Sequence, residues 1–377
     1  MSKLATPEGT GRYAARFAGK SSPAHFRAWP LPETDDAPFH RLSSIGMGSY
    51  TGPSTDEGDL QYAESVGEAV RSGINLIDAA INYRNMRSER ALGKGIRALI
   101  TAREAARDEL FVMTKGGYLP FDGAVPADPS DYLRETYLAT GILRPEEIVA
   151  GCHAIAPRFL ANQLERSLHN LGLDGVDVYF LHNVEQQLDE VPREEFDRRV
   201  AAAFHYLEEQ VRAGRIGVYG AATWNGFRVP PERKEHLSLE RLWEIATEVG
   251  GEEHHFRALQ LPYNIGMPEA LTEPTQKIQG QRVSLLDAAY ALGMMVVASV
   301  PLLQTQILAH LPGNFAEDLS DLPTPALRAI QFVRSTPGIL APLVGMRQVQ
   351  HVKENAALAA VDPLDAQAFA ALFNGRG

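Results

Sequence analysis

The sequence has very little cysteine, since Cys152 is the only one among 377 residues. A single cysteine cannot build a disulfide framework or a thiolate metal site within the chain, so a reducing compartment is favoured. Long apolar runs are also lacking. No stretch of roughly 18 residues is apolar throughout, as a membrane helix requires, and residues 1–20 have no apolar core of signal-peptide length. We therefore expect a cytoplasmic protein that does not enter a membrane.

The chain also lacks an excess of positive charge. It has 36 basic and 47 acidic residues, which give a net charge of −11. This balance disfavours a general attraction to nucleic acid or anionic lipid, so an anionic ligand requires a local basic pocket. No metal site is expected either, because His254 and His255 are adjacent and have no acidic residue at ligand spacing nearby.

Short apolar runs recur along the chain, and each is followed by a longer segment with helical spacing. Runs that are apolar throughout are typical of strands covered on both faces, as in parallel sheets. Eight such units predict an α/β protein with a (β/α)8 TIM barrel, and an open Rossmann-like sheet is the alternative. The eight runs are RLSSIGMG, INLIDAA, ELFVMTK, VDVYFLH, IGVYGAA, RALQLPY, MMVVASV and ILAPLVG.

The repeated alternation of strands and helices predicts one barrel domain over residues 41–377. Residues 1–40 are rich in proline, glycine and charge, and we expect them to form an extended N-terminal arm. Residues 116–156 separate the third strand from its helix. A connection of this length is typical of a lid or binding loop, and its aromatic residues favour a packed lid.

Four polar side chains stand at or just after strand ends. The second strand ends at Asp78 with Tyr83 in the following loop, the third ends at Lys115, and the fourth ends at His182. In barrels of this kind the functional face lies at the carboxyl ends of the strands. Taken singly, each residue has a structural explanation, such as a packed tyrosine or a hydrogen-bonded core histidine. Their joint position at the carboxyl ends of the strands suggests that the four side chains take part in one reaction.

That chemistry is the reduction of a carbonyl group. An oxygen that gains negative charge as hydride arrives needs a general acid to protonate it. A phenol has an ordinary pKa of about 10, and an adjacent ammonium lowers it. We therefore expect Lys115 to lower the pKa of Tyr83. Asp78 would keep Lys115 protonated, and His182 would donate to the substrate oxygen.

At these residues the sequence resembles the aldo-keto reductase family. INLIDAAINYRNMRSERALGKGI is similar to the family's aspartate strand, tyrosine loop and following helix. FVMTKGG is similar to its lysine strand, and LGLDGVDVYFLHN to its histidine strand. The likeness covers about residues 40–360. It implies an (α/β)8 barrel that binds NADPH or NADH without a Rossmann domain, and a catalytic tetrad of Asp78, Tyr83, Lys115 and His182. The Asn-Val-Glu after His182 is similar to the sugar and aldose dehydrogenase branches.

The resemblance also implies a cofactor site. ALQLPYN is similar to the segment whose glutamine binds the nicotinamide carboxamide, VASVPLLQ to the loop along the pyrophosphate, and APLVGMRQVQHVKENAAL to the segment at the adenosine end. Arg347 suits a 2′-phosphate and favours NADP over NAD; alternatively it caps its loop and pairs with a carboxylate. The usual Ser-Asn after strand five is replaced by Ala222 and Thr223, and Ser299 replaces the common stacking aromatic. The expected cofactor-binding residues are Gly48, Thr223, Gln260, Ser299, Pro301, Leu302, Arg347, His351, Glu354 and Asn355.

GMGSYTG at 46–52 differs by one residue from the dinucleotide fingerprint, so Gly46 and Gly48 are interpreted as a turn that opens onto the cofactor.

The lid is expected to line a substrate pocket, although its aromatics could instead pack inside the loop. The expected function is an NADPH-dependent oxidoreductase that transfers hydride between nicotinamide and a small aldehyde, ketone, sugar or alcohol. The alternative is a non-catalytic nucleotide-binding redox sensor or regulatory subunit. Candidate pocket residues are Tyr118, Phe121, Tyr132, Tyr137 and Trp224.

Overall fold

The N-terminal segment forms a short helix and a two-stranded sheet. The computed structural model describes residues 2–30, 38–309, 319 and 321–373. Helix α1 (Pro7–Ala15) begins at Thr6, whose side chain accepts a hydrogen bond from the backbone N–H of Gly9. Strands β1 (Phe26–Trp29) and β2 (His40–Ser43) then pair antiparallel. The expected extended arm therefore contains a helix and a strand.

Eight parallel strands close into a barrel, which confirms the predicted (β/α)8 fold and excludes the open sheet. Two further strands, β9 (Gln276–Ile278) and β10 (Gln281–Val283), form an antiparallel hairpin after the sixth barrel strand. The predicted run RLSSIGMG divides between β2 and the first barrel strand. The barrel strands are β3 (Gly46–Gly48), β4 (Leu76–Asp78), β5 (Phe111–Gly116), β6 (Val176–His182), β7 (Ile216–Ala222), β8 (Phe256–Pro262), β11 (Met295–Ser299) and β12 (Ala341–Gly345).

Helices surround the barrel and connect its strands. No described helix is long and apolar enough to cross a membrane. Short 3₁₀ or π-helical segments occur at Arg107–Glu109, Arg134–Leu138, Pro145–Glu147, Val184–Asp189, Leu303–Ala309 and Ala357–Ala360. The α-helices after α1 are α2 (Asp56–Arg71), α3 (Arg87–Thr101), α4 (Pro129–Leu133), α5 (Pro157–Leu171), α6 (Arg193–Arg212), α7 (Leu239–Gly250), α8 (Glu269–Thr272), α9 (Leu285–Ala291), α10 (Pro325–Ser335), α11 (Val349–Ala356) and α12 (Ala366–Ala371).

The buried side chains form two layers, because successive side chains along a barrel strand point alternately into the barrel and out towards the helices. One buried set fills the barrel, including Leu76, Met113 and Phe180. The larger set lies between the barrel and the helices. The register pairs Gly48 with Asp78 and His182 with Ala222, so polar strand ends meet at one rim.

Candidate active site

A buried ion pair lies where β4 and β5 reach the rim. The Nζ of Lys115 donates to the two carboxylate oxygens of Asp78 at 2.8 and 2.7 Å and to the carbonyl of Ala79 at 2.7 Å. The amide of Gln260 donates to the same carboxylate at 2.9 Å. Both charged side chains are at least 95% buried, with 0% of Lys115 and 5% of Asp78 exposed. Their charges therefore compensate each other away from water.

The other two predicted residues stand beside this pair. The Nζ of Lys115 lies 4.6 Å from the ring centroid of Tyr83, so the ammonium faces the aromatic ring. The rings of Tyr83 and His182 are 5.7 Å apart at an angle of 75°. The four side chains predicted as a tetrad are thus brought together at one rim of the barrel.

The loop after Tyr83 has an unusual backbone. Arg84, Asn85 and Met86 have φ values of 50°, 56° and 66°, in the left-handed region that non-glycine residues rarely adopt. The guanidinium of Arg84 donates to the carbonyl of Pro53 at 2.9 Å and to Asp59 at 2.6 Å. These bonds hold the strained turn against the loop after β3 and the first turn of α2, and they fix the backbone that carries Tyr83.

The expectation that Lys115 lowers the pKa of Tyr83 is wrong for this arrangement. Burial raises the pKa of Tyr83 well above its ordinary value, and the charge of Asp78 raises it further. Because Asp78 bonds the ammonium directly, the pair carries no net charge, and the ammonium does not offset the cost of burying a phenolate. The phenol is therefore protonated throughout the physiological pH range.

His182 is neutral. Burial, followed by the charge of Lys115, lowers the pKa of His182 well below its ordinary value. In the described part of the chain, its buried Nδ1 has no hydrogen-bond partner. Its carbonyl accepts a 2.7 Å bond from Nε2 of His153, whose Nδ1 accepts from the Gln187 amide at 2.8 Å. His153 therefore ties the 116–156 insert to the end of β6, a contact that local sequence does not reveal.

A cleft of about 380 Å³ opens at this rim. Asp78, Tyr83 and His182 line it, while Lys115 lies beneath them. Val300, in the segment predicted to run along the pyrophosphate, also lines it, as do several residues that the sequence did not single out, among them Ser49, Tyr50, Thr51, Asn82, Asn183, Gln304 and Thr305. The predicted cofactor and substrate residues that line it are Gly48, Thr223, Gln260, Ser299, Pro301, Leu302, Tyr118 and Trp224.

Tyr118 forms a fixed wall of the cleft. Its ring lies 5.1 Å from that of His182 at 89°, and its hydroxyl accepts a 3.0 Å bond from the Asn183 amide. Gln163 accepts from the backbone N–H of Gly117 at 2.8 Å and donates to the Tyr118 carbonyl at 2.6 Å. This part of the insert is held in place before any ligand binds.

The other three insert aromatics do not line the cleft among the described residues, which corrects that prediction. The rings of Phe121 and Tyr132 are 5.6 Å apart, and those of Tyr132 and Tyr137 are 6.4 Å apart. Tyr137 is fully buried and donates to the carbonyl of Pro120 at 3.1 Å. The insert has its own small core, so these rings pack inside it.

The residues predicted at the adenosine end lie beyond the lining of the cleft. The guanidinium of Arg347 packs beside Gly52, where an added Cβ would lie 2.9 Å from its Cδ. Glu354 accepts a 2.9 Å bond from the hydroxyl of Thr324. Asn355 is buried and His351 is exposed. Their contact with a nucleotide stays a prediction.

About half of the chain is similar to known proteins. The model of the aldo/keto reductase family matches residues 44–229. The NADH-specific methylglyoxal reductase of Escherichia coli (strain K12) is 28% identical over 200 residues, which cover 51% of each chain. Aldo-keto reductase family 1 member C1 of Pongo abelii is 24% identical over 195 residues, covering 49% of this chain and 48% of that protein. The chain spans about half the length of the curated relatives it matches.

Solved structures resemble the whole barrel. An aldo/keto reductase from Klebsiella pneumoniae in complex with NADP and acetate has a TM-score of 0.58 at 20% identity, covering 89% of this chain and 92% of that one. A thermostable aldo-keto reductase in complex with the inhibitor epalrestat has a TM-score of 0.59 at 19% identity, covering 92% and 99%. At these identities the likeness shows the fold alone. The matched family model and the relatives support an assignment to the aldo-keto reductase family over about half of the chain.

Proposed function

We propose that the protein is an NADPH-dependent oxidoreductase that interconverts a carbonyl and an alcohol, with Tyr83 as general acid and base. The observation that carries this proposal is the joint placement of Tyr83 and His182 on the cleft above the buried Asp78–Lys115 pair. A redox sensor or regulatory subunit would need the pocket alone, not this set of acid, ammonium and imidazole.

The chain's own residues fit a nicotinamide nucleotide. Within the described residues the buried hydroxyl of Thr223 has no partner, which leaves it free for a carboxamide. The loop after β11 has a left-handed residue at Val300, φ 45°, and lines the cleft with its neighbours. A bound nicotinamide supplies hydride. NADP is favoured over NAD because the planar guanidinium of Arg347 can donate paired hydrogen bonds to a phosphate. One relative is nevertheless named NADH-specific.

Side chains of the protein then supply the proton to the substrate oxygen. Tyr83 holds its proton at neutral pH and gives it to a substrate oxygen that has become an alkoxide, a stronger base than phenolate. The ammonium of Lys115 faces the ring and stabilises the phenolate that results. Neutral His182 orients the oxygen by hydrogen bonding, and Asp78 keeps the ammonium in place.

Replacing Tyr83 by Phe tests this role. We expect turnover of an aldehyde panel to fall by about 10²–10⁴-fold, since the general acid is lost, while NADPH binding stays near that of the unmodified protein. Oxidation of NADPH and nucleotide titration measure the two effects. Tyr137→Phe is the control, because it removes a phenol hydroxyl inside the insert core.

Retained turnover in Tyr83→Phe would refute the assignment. The non-catalytic alternative predicts a different result, namely an unmodified protein that binds nucleotide yet oxidises none of it across the panel. Running the panel in both directions with both nucleotides separates these outcomes and also gives the substrate class.

A further inference from the structure

Glu185 joins two loops at the rim of the barrel. It lies three residues after His182, in the turn that follows β6, and only 5% of it is exposed. Its Oε1 accepts hydrogen bonds from the backbone N–H groups of Trp224, Asn225 and Gly226 at 2.6, 3.0 and 3.3 Å. Three successive donors of the loop after β7 thus converge on one carboxylate oxygen.

These donors belong to the loop that forms one side of the cleft. Thr223 and Trp224 both line the cleft, and 43% of Trp224 is exposed there. Converging backbone N–H groups create a positive concavity that a carboxylate fills better than a neutral group. An added Cβ at Gly226 would lie 3.3 Å from Cβ of Glu185, so the two backbones pack closely.

We propose that Glu185 is a positioning residue that orders the 223–226 loop and thereby sets the affinity of the cleft for a nicotinamide nucleotide. This inference rests on the proposed function. Without the carboxylate, three inward-facing N–H groups lose their partner, and the loop adopts other conformations. Nucleotide binding must then reorder the loop, which weakens the observed affinity.

The test compares Glu185→Ala with Asp177→Asn. Asp177 is the control because it is a buried carboxylate at the other end of β6, where it accepts from the backbone N–H groups of Ala5 and Val112 at 2.6 and 2.7 Å and from Arg107 at 2.9 Å, so its replacement perturbs stability away from the loop. We expect Glu185→Ala to speed amide hydrogen exchange at 224–226 about tenfold or more in nucleotide-free protein. Asp177→Asn should leave exchange at these amides unchanged.

Nucleotide affinity is the second measurement. We expect the Kd for NADPH, followed by the fluorescence of the bound nucleotide, to rise about tenfold in Glu185→Ala. The kcat at saturating nucleotide should change by less than about threefold, because the reacting side chains are untouched. A purely structural residue would instead lower the folded fraction and leave the Kd of the remaining protein unchanged.

Exchange and Kd values equal to those of the unmodified protein would overturn the proposal. If the alanine variant does not fold, Glu185→Gln keeps an acceptor but removes the charge. It should then shift both quantities in the same direction by about threefold, and no shift would again overturn the proposal. An unmodified protein that binds no nucleotide would overturn the proposed function and the affinity claim, whereas the exchange result would still decide whether Glu185 orders the loop.

Discussion

Replacing Lys115 by Met removes the positive charge that compensates Asp78 in the barrel. The carboxylate would lose two bonds of 2.8 and 2.7 Å and, among the described residues, would keep the Gln260 amide at 2.9 Å as its one side-chain donor. Because neither side chain is more than 5% exposed, water screens the remaining charge poorly. We therefore expect the free energy of unfolding at neutral pH to fall by about 3–5 kcal/mol, the usual cost of breaking a buried ion pair.

The double variant Asp78→Asn/Lys115→Met separates stability from chemistry. Both charges are absent, so no uncompensated charge stays buried, and most of the lost stability should return. Turnover should stay absent, because the ammonium beside Tyr83 is gone. Urea unfolding of the unmodified protein, the two single variants and the double variant completes a thermodynamic cycle, and we expect a coupling energy above about 2 kcal/mol.

The sign of the pH dependence gives an independent check. In Lys115→Met the buried carboxylate has a raised pKa, so the folded state takes up a proton at a higher pH than the unfolded state does. The loss of stability should therefore shrink as the pH is lowered towards that pKa. Additive single losses, or turnover in the double variant, would refute the role of the ion pair.

Three further outcomes are expected. Arg347→Ala should raise the Kd of NADPH about tenfold and that of NADH little, and an unchanged preference in nucleotide titration would contradict the phosphate role. Tyr118→Phe keeps the ring beside His182 but removes the hydroxyl held by Asn183, so KM should rise severalfold with kcat nearly constant in steady-state assays. Burial lowers the pKa of His153 from 6.5 to about 4. Only the unfolded state is protonated between these values, so stability should fall by up to about 3 kcal/mol as pH drops from 6.5 to 4, and urea unfolding of His153→Gln should show a shallower dependence.

The barrel and the four clustered side chains were predictable because their signals are local. Each strand is a short apolar run, and Asp78, Lys115 and His182 stand where such runs end. In a parallel barrel all carboxyl ends meet at one rim, so local position along each strand becomes proximity in space. The register of β4 and β5 then brings the aspartate and the lysine within hydrogen-bonding distance.

The N-terminal segment was harder to predict because composition concealed a local signal. Proline and charge suggested an extended arm, yet Thr6 followed by Pro7 is a helix start, with the hydroxyl as cap and proline in the first turn. Likewise, the run RLSSIGMG is apolar enough for one strand. A change of partner after Ser43, from β1 to the barrel, cannot be inferred from hydrophobicity.

Contacts between distant segments lay beyond sequence reasoning. The aromatics of the insert fit either a pocket wall or a core, and only Tyr118 is drawn to the cleft, through Gln163 and Asn183. In the sequence, Glu185 is distinguished only as part of the Asn-Val-Glu that follows His182. Its three donors are about 40 residues away in sequence, so no spacing rule connects them.

The pKa of Tyr83 shows how charge compensation decides what the site can do. A lone ammonium at the position of Lys115 would favour phenolate, but the ammonium bonded to Asp78 is part of a neutral pair, and burial then dominates. A phenol that keeps its proton is ready to protonate an alkoxide and slow to accept a proton from an alcohol. Of the two directions proposed, the nucleotide-free arrangement therefore favours carbonyl reduction. Oxidation requires first that Tyr83 lose its proton, so its rate should continue to rise above pH 10, where an ordinary phenol would already be ionised.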